Sequence, residues 1–223
     1  MHSNLSILED KIAGLIKSLP AGITLVAAAK TRTVEEVQAA IRAGVKIIGY
    51  NYVQETERIQ AAVGRQVQWH LIGHLQKNKI KKAVRLFNMI QTLDSLSLAE
   101  ELNAECAEAK INMPVLIEIN SGREENKTGL FPEKVQEVVE RILPLPDLQI
   151  QGLMTMGPFL DDPAGLRPCF KETRLIFERL AKITNPQMQM RFLSMGMSDS
   201  YQLAIEEGAN MIRLGTILFG PRG

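Results

Sequence analysis

Eight short apolar segments alternate with segments of helical spacing along almost the whole 223-residue chain. Each apolar segment is bounded by polar or turn-forming residues, which is typical of buried strands. These predicted strands cover residues 24–31, 45–48, 67–72, 89–93, 114–119, 148–154, 190–194 and 210–213. Eight strand–helix units are the number that closes a parallel barrel, and right-handed crossovers favour that closure.

The segments between the strands predict the helices. Apolar residues at helical spacing cover residues 52–63, 77–87, 132–142, 166–183 and 199–207. Capping-box patterns, Thr33 with Glu36 and Ser97 with Glu100, predict the starts of two more helices. An extra amphipathic helix over residues 3–19 precedes the first strand. We therefore expect one α/β domain over residues 1–223, a (β/α)8 TIM barrel with an extra N-terminal helix.

An open, doubly wound sheet is the alternative architecture. Such a sheet would carry a glycine-rich phosphate turn after its first strand. Here the first strand leads into Lys30-Thr-Arg-Thr, which contains no glycine. The sequence also shows no fixed repeat and no composition shift that would indicate a second domain. The closed barrel is favoured.

Composition excludes several classes of function. With 26 Lys and Arg against 25 Asp and Glu, the formal charge of +1 gives no broad basic field for nucleic acid or an anionic membrane. One predicted helix carries a basic patch that lacks interleaved aromatics, so we expect a solvated surface; it comprises Lys77, Lys79, Lys81, Lys82 and Arg85. No export signal and no apolar stretch of about 20 residues is visible, which predicts a cytoplasmic protein.

The cysteine and histidine patterns do not predict a metal site. Cys106 and Cys169 are too few for a metal or disulfide framework, so we expect free thiols. His70 and His74 lie four residues apart, but the strand-like segment around His70 argues against a shared helical face. We expect structural or packing roles for both histidines and no metal.

Polar residues follow several of the predicted strands, where the mouth of a barrel collects them. These candidates are Lys30, Asn51, His70, Asn120, Ser121, Ser194, Arg213 and Thr216. Small turns at Ser194–Ser198, containing Gly196, and at Gly215–Thr216 are suited to holding a phosphate. A lysine enclosed by apolar sequence loses its proton more easily, as a Schiff-base amine requires. A phosphorylated aldehyde such as pyridoxal phosphate matches both features.

Several stretches together resemble one family, the pyridoxal phosphate homeostasis proteins. The two most specific are Trp69-His-Leu-Ile-Gly-His-Leu-Gln and Ser194-Met-Gly-Met-Ser-Asp. Others begin at Leu25, Gly49, Lys127 and Arg213, so the resemblance covers nearly the whole chain. The family is similar in turn to the N-terminal barrel domain of alanine racemases. The resemblance therefore implies that barrel as the fold of this chain.

The resemblance implies a set of cofactor-binding residues. Lys30 would hold pyridoxal 5'-phosphate covalently, and Asn51 would lie beside its ring. Arg213 would face the pyridine nitrogen, while the phosphate would be held by Ser194, Gly215 and Thr216. His70 and Gly196 complete the predicted set, in which we expect no catalytic residue.

The resemblance also implies a function. We expect a protein of vitamin B6 homeostasis that carries or buffers pyridoxal phosphate without robust turnover. We also expect it to be a monomer, with apo-enzymes that require the cofactor as its partners. The alternative is a weak amino-acid racemase that uses Lys30 as its single base. Racemases add a β domain, for which we expect this chain to have no room. They also use a second acid/base from the partner subunit, without which two-base racemisation is incomplete.

Two residues depart from the family pattern. Tyr50 stands where a glutamate is usual, and Leu71 stands where an aromatic residue or methionine is usual. We expect Tyr50 to alter the charge of the mouth and Leu71 to be a packing variation.

Overall fold

The computed structural model describes residues 2–158, 160 and 162–221, and its strands form a closed parallel barrel. Each strand bonds to its neighbour in chain order, and the eighth strand bonds to the first. The strands are β1 (Thr24–Ala28), β2 (Ile47–Tyr50), β3 (Gln68–Leu71), β4 (Met89–Leu93), β5 (Met113–Ile119), β6 (Leu148–Thr155), β7 (Met188–Ser194) and β8 (Met211–Leu214). The predicted barrel is confirmed.

Helices follow the strands and cover the outside of the barrel. They are α1 (His2–Ser18), α2 (Val34–Arg42), α3 (Val53–Val63), α4 (Ile80–Leu86), α5 (Leu96–Ala109), α6 (Val135–Ile142), α7 (Arg167–Leu180), α8 (Tyr201–Glu206) and α9 (Thr216–Phe219). The extra N-terminal helix is confirmed as α1, which packs against α2. Short 3-10 turns precede α4, α6 and α7, at Lys77–Lys79, Pro132–Lys134 and Pro163–Leu166. The first two lie within predicted helices, and the third ends at the residue where the predicted helix begins.

Side-chain caps fix the starts of two helices. At α2 the Glu36 amide donates to the Thr33 hydroxyl at 3.2 Å, and the Thr33 amide donates to the Glu36 carboxylate at 2.8 Å. This capping box is confirmed. The prediction that Ser97 caps α5 is wrong, because Ser95 takes that position and accepts from the Leu98 amide at 3.3 Å. The helix therefore starts two residues earlier than predicted.

Side chains alternate between the two faces of the barrel wall. Those that point inward form a compact apolar cluster below the mouth: Val26, Ile47, Ile72, Met89, Leu116, Met154 and Met211. Those that point outward pack with the helices in a much larger core. The inward positions nearer the carboxyl ends of the strands are therefore the ones that can reach a ligand.

Tyr50 belongs to the outward face. Its ring is fully buried in the larger core and stacks on Trp69, with ring centroids 6.1 Å apart and planes inclined by 21°. The expectation that Tyr50 alters the charge of the mouth is wrong, because its neighbours Gly49 and Asn51 occupy the inward positions of this segment. Leu71 lies in the same outer core, as expected of a packing variation.

The surface features agree with the composition. Within the basic patch, Lys77 contacts Ser97 and Glu101, and Lys82 pairs with Glu57 at 2.8 Å. These acidic neighbours offset part of the patch's charge. In the described part of the chain both cysteines are free thiols, and no helix there combines the length and apolarity needed to cross a membrane.

Candidate functional site

A cavity of about 570 Å³ opens at the carboxyl ends of the strands. Four of the eight predicted cofactor-binding residues line it, namely Asn51, Arg213, Gly215 and Thr216. Apolar side chains, among them those of Ala28, Ile72 and Met197, line other parts of its wall. The volume is in the range of pockets that enclose small molecules, which are commonly apolar with a few polar groups.

Lys30 follows β1 on the side of the mouth. β1 ends at Ala28, which lines the cavity, and Lys30 lies two residues further on, in the turn that follows the strand. Lys30 itself is not among the described residues that line the cavity. The Lys30 side chain is half-buried, and its Nζ lies 5.2 Å from the centroid of the Tyr52 ring. This cation–π contact holds the amine against the start of α3.

Arg213 is held rigidly beneath the cavity by three hydrogen bonds. Its Nη1 donates to the Ser194 carbonyl at 2.9 Å and to the Ser194 hydroxyl at 2.7 Å. Its Nη2 donates to the Thr155 carbonyl at 2.9 Å. Burial lowers the pKa of Arg213 to about 10, so the guanidinium remains charged at neutral pH. The cavity thus has a fixed positive group in its wall.

Ser194 and His70 support this arginine from below. The Ser194 hydroxyl donates to Gln91 Oε1 at 2.8 Å, and Gln91 Nε2 lies 3.0 Å from His70 Nδ1. Because Gln91 donates there, the ring hydrogen of His70 belongs on Nε2. Burial lowers the pKa of His70 to about 3, so the ring is neutral. The two predicted site residues thus form a buried polar chain that ends at Arg213.

Two turns meet beside the cavity. The Ser198 hydroxyl accepts from the amides of Gly215 and Ile217, both at 3.2 Å, and so joins the turn after β7 to the start of α9. Thr216 lies between these two amides, is exposed and lines the cavity. The two turns predicted to hold a phosphate are therefore adjacent.

Gly196 serves the backbone of the first turn. Its φ is +88°, and a Cβ there would lie 2.6 Å from Cβ of Ala204 in α8. Its carbonyl accepts from the Arg213 amide at 3.1 Å. Only glycine fits a left-handed position this close to a helix, so Gly196 lets the turn pack against α8 while its carbonyl bonds to the Arg213 amide.

Glu118 is a buried group that the sequence patterns did not bring out. This carboxyl lies in β5, is 3% exposed and points inward, two residues beyond Leu116 of the inner cluster. Its Oε1 accepts from the Thr128 hydroxyl at 3.0 Å, whereas its buried Oε2 has no hydrogen-bond partner among the described residues. The signal was a single charged residue within an otherwise apolar strand.

Burial raises the pKa of Glu118 to about 7. Asp94 raises it further, while the Thr128 hydrogen bond, Arg213 and His74 act in the opposite direction. In a closed eight-stranded barrel β5 lies on the wall opposite β1. The barrel thus carries a titratable carboxyl on the wall facing the Lys30 strand.

The fold and the site together define a class: a (β/α)8 barrel whose mouth combines a strand-end lysine, a fixed arginine and two small polar turns. The sequence matches the family "Alanine racemase, N-terminal domain" over residues 4–223. Among curated relatives, the pyridoxal phosphate homeostasis protein of Aquifex aeolicus is 39% identical over 199 residues, which are 89% of this chain and 86% of the relative. The chain belongs to the pyridoxal phosphate homeostasis protein family.

Solved structures agree with this assignment. PipY of Synechococcus elongatus PCC7942, solved without pyridoxal phosphate, has a TM-score of 0.90 and 33% identity, covering 96% of this chain and all of that one. The same protein solved with pyridoxal phosphate bound has a TM-score of 0.87 and 32% identity, with the same coverage. The curated relatives from Aquifex aeolicus and Pasteurella multocida are both named pyridoxal phosphate homeostasis protein.

Proposed function

We propose that this chain binds pyridoxal 5'-phosphate covalently through Lys30 and keeps the reactive aldehyde sequestered as part of cofactor homeostasis. One observation carries the proposal: Ala28, Arg213 and Thr216 line the same cavity, and Lys30 follows the strand that ends at Ala28. PipY, whose fold this chain shares, has been solved with that cofactor bound.

The groups present fit the cofactor. Thr216, with Ser198 and Gly215 beside it, offers small polar groups for a phosphate. Apolar side chains suit an aromatic ring, and the Lys30 amine suits an aldehyde. Bound pyridoxal phosphate supplies an aldehyde for Schiff-base formation and a ring that can withdraw electrons. Asn51 would lie beside that ring, while Ser194, His70 and Gly196 hold Arg213 and its turn.

Arg213 also supports a carrier function without robust turnover. A permanently charged guanidinium beside a pyridine nitrogen keeps that nitrogen unprotonated, which weakens the ring as an electron sink. We further propose that the chain is a cytoplasmic monomer that supplies apo-enzymes requiring the cofactor. Light scattering measures the molar mass in solution and so tests whether the chain is a monomer. Transfer of bound cofactor to a purified apo-enzyme tests whether the chain delivers pyridoxal phosphate.

A direct test of the function is titration of the purified apo-protein with pyridoxal phosphate. We expect saturable binding of one equivalent, with the absorbance change of a Schiff base. The same titration with pyridoxal, which lacks the phosphate, should give much weaker binding. Equal affinity for the two aldehydes would contradict the proposed site.

We expect Thr216→Val to weaken retention of pyridoxal phosphate by about tenfold, because it removes a hydroxyl that can hydrogen bond to a charged oxygen. Thr184→Val is the matched control, since Thr184 is exposed and lies outside the cavity. The dissociation constants of both variants, measured by equilibrium dialysis, check this. Equal retention in the two variants would count against the phosphate position.

A weak amino-acid racemase is the second candidate. With Lys30 as its single base it needs no other acid, and Glu118 would supply the second acid/base of a two-base racemase. A buried carboxyl that titrates near neutral pH, on the wall facing β1, is a group that could hold a proton near the site. Optical rotation of an amino-acid panel distinguishes the two candidates. Turnover far above that of free pyridoxal phosphate, and lost in Glu118→Gln, would establish the enzyme.

A further inference from the structure

The residue after Lys30 has an unusual backbone. Thr31 has a φ of +67°, in the left-handed region. This region is a genuine outlier for a β-branched residue, because the side chain crowds the backbone there. Such a conformation persists only where surrounding groups hold it, and it clusters at functional sites.

A tight turn explains why the chain adopts this conformation. The Arg32 amide donates to the Ala29 carbonyl at 3.0 Å, which makes Lys30 and Thr31 the two central residues of a four-residue turn. Turns with a positive φ at the third residue are usually formed by glycine. The Ala29 amide in turn donates to the Gly49 carbonyl of β2 at 3.0 Å, so the start of the turn is fixed to the barrel.

Glu55 in α3 holds the other side of this turn. Its Oε1 accepts from the Thr31 amide at 2.6 Å, across 24 residues of sequence. Hydrogen bonds to an ionised acceptor are roughly twice as strong as neutral ones. The same helix begins after Tyr52, whose ring lies against the Lys30 amine. Helix α3 therefore contacts both the backbone and the side chain of the Lys30 turn.

We propose that Glu55 is a positioning residue that stabilises the left-handed conformation at Thr31 and thereby fixes the direction of the Lys30 side chain at the carboxyl end of β1. The inference rests on the proposed role of Lys30 in binding an aldehyde. Without the carboxylate, Thr31 relaxes toward a negative φ, and the turn no longer presents the amine in the same direction. Glu55 itself needs no contact with the ligand.

The test uses a double-mutant cycle on the full chain. Glu55→Ala should lower the affinity for pyridoxal phosphate by about tenfold, the order expected for loss of one hydrogen bond to a charged group. Glu55→Gln keeps an acceptor and should lose less. Thr31→Gly alone should change the affinity by no more than about twofold, because glycine adopts this φ without strain.

The decisive variant combines the two changes. Since glycine does not need the carboxylate to hold the turn, Thr31→Gly with Glu55→Ala should recover most of the affinity that Glu55→Ala loses. Glu57→Ala is the control, because Glu57 lies on the same helix but pairs with Lys82 at the surface. Failure of the double variant to recover, or an equal loss in Glu57→Ala, would overturn the proposal.

A second measurement separates this inference from the proposed function. In the apo-protein, the pH profile for acylation of Lys30 by an amine-directed reagent can be followed by mass spectrometry of its peptide. The Glu55→Ala profile should differ from the wild-type profile, and the double variant should restore it. If no variant binds pyridoxal phosphate but the acylation profiles change in this way, the proposed function is wrong and the role of Glu55 stands. If the profiles of the wild type and of Glu55→Ala are the same, the role of Glu55 is refuted.

Discussion

Replacing Lys30 with alanine should lower the affinity for pyridoxal phosphate by about a hundredfold or more, a loss on the order of 3 kcal/mol. The reason is that the variant keeps the cavity, Arg213 and Thr216 but lacks the amine with which the aldehyde can form a bond. Spectroscopic titration should show residual, non-covalent binding without the absorbance of a Schiff base.

Lys46→Ala is the matched control for this experiment. Lys46 is exposed and precedes β2 at the opposite end of the barrel, so its removal should leave binding unchanged. Thermal unfolding of both variants checks that the fold is kept. A Lys30→Ala variant that binds with wild-type affinity and spectrum would place the covalent bond elsewhere.

Replacing Glu118 with glutamine should stabilise the apo-protein above pH 7. The pKa of Glu118 is about 7 in the folded chain against an ordinary value of 4.5. Because the folded state holds this proton more tightly, its contribution to stability is fully present below pH 4.5, falls as the pH rises and is lost above pH 7. The loss is about 3 kcal/mol for a shift of this size.

Chemical denaturation of both proteins between pH 4.5 and pH 8 measures this contribution. The difference in unfolding free energy should be small at pH 4.5 and should favour Glu118→Gln by about 3 kcal/mol at pH 8. Comparison at each pH removes the contribution of other groups such as His70. Glu125→Gln, an exposed change in the following loop, is the control. A constant difference across this range would show that Glu118 does not titrate there.

The barrel could be predicted because its determinants are local. Eight apolar segments and the helical spacing between them need no knowledge of long-range contacts. The Thr33 capping box is equally local. The cap of α5 was predicted wrongly because Ser95 and Ser97 lie two residues apart and serine at either position suits an N-cap. In the folded chain Ser95 is the cap, and Leu98 and Leu102 are buried.

The faces of the strands could not be predicted with the same success. The second strand was predicted to end at residue 48, which left Tyr50 in the loop at the mouth. In the structure β2 extends to Tyr50, whose ring lies in the outer core. Glu118 was missed for a related reason: a charged residue in an apolar strand acquires its meaning only when the barrel register shows that it points inward. The sequence predicts neither feature without the closed sheet.

The backbone at Thr31 lay furthest from prediction. Threonine disfavours the left-handed region, so its local preference opposes the observed φ. The contact that holds it comes from Glu55, 24 residues away. Local preferences that conflict with the fold are expected at functional sites, where other contacts compensate for them.

Mass spectrometry of the reduced, cofactor-treated protein tests the central claim most directly. The full chain is incubated with pyridoxal phosphate, reduced with borohydride and digested, and the modified peptide is identified. We expect one cofactor per chain, fixed to the peptide that contains Lys30. Modification spread over surface lysines such as Lys77 and Lys82, or none at Lys30, would contradict it.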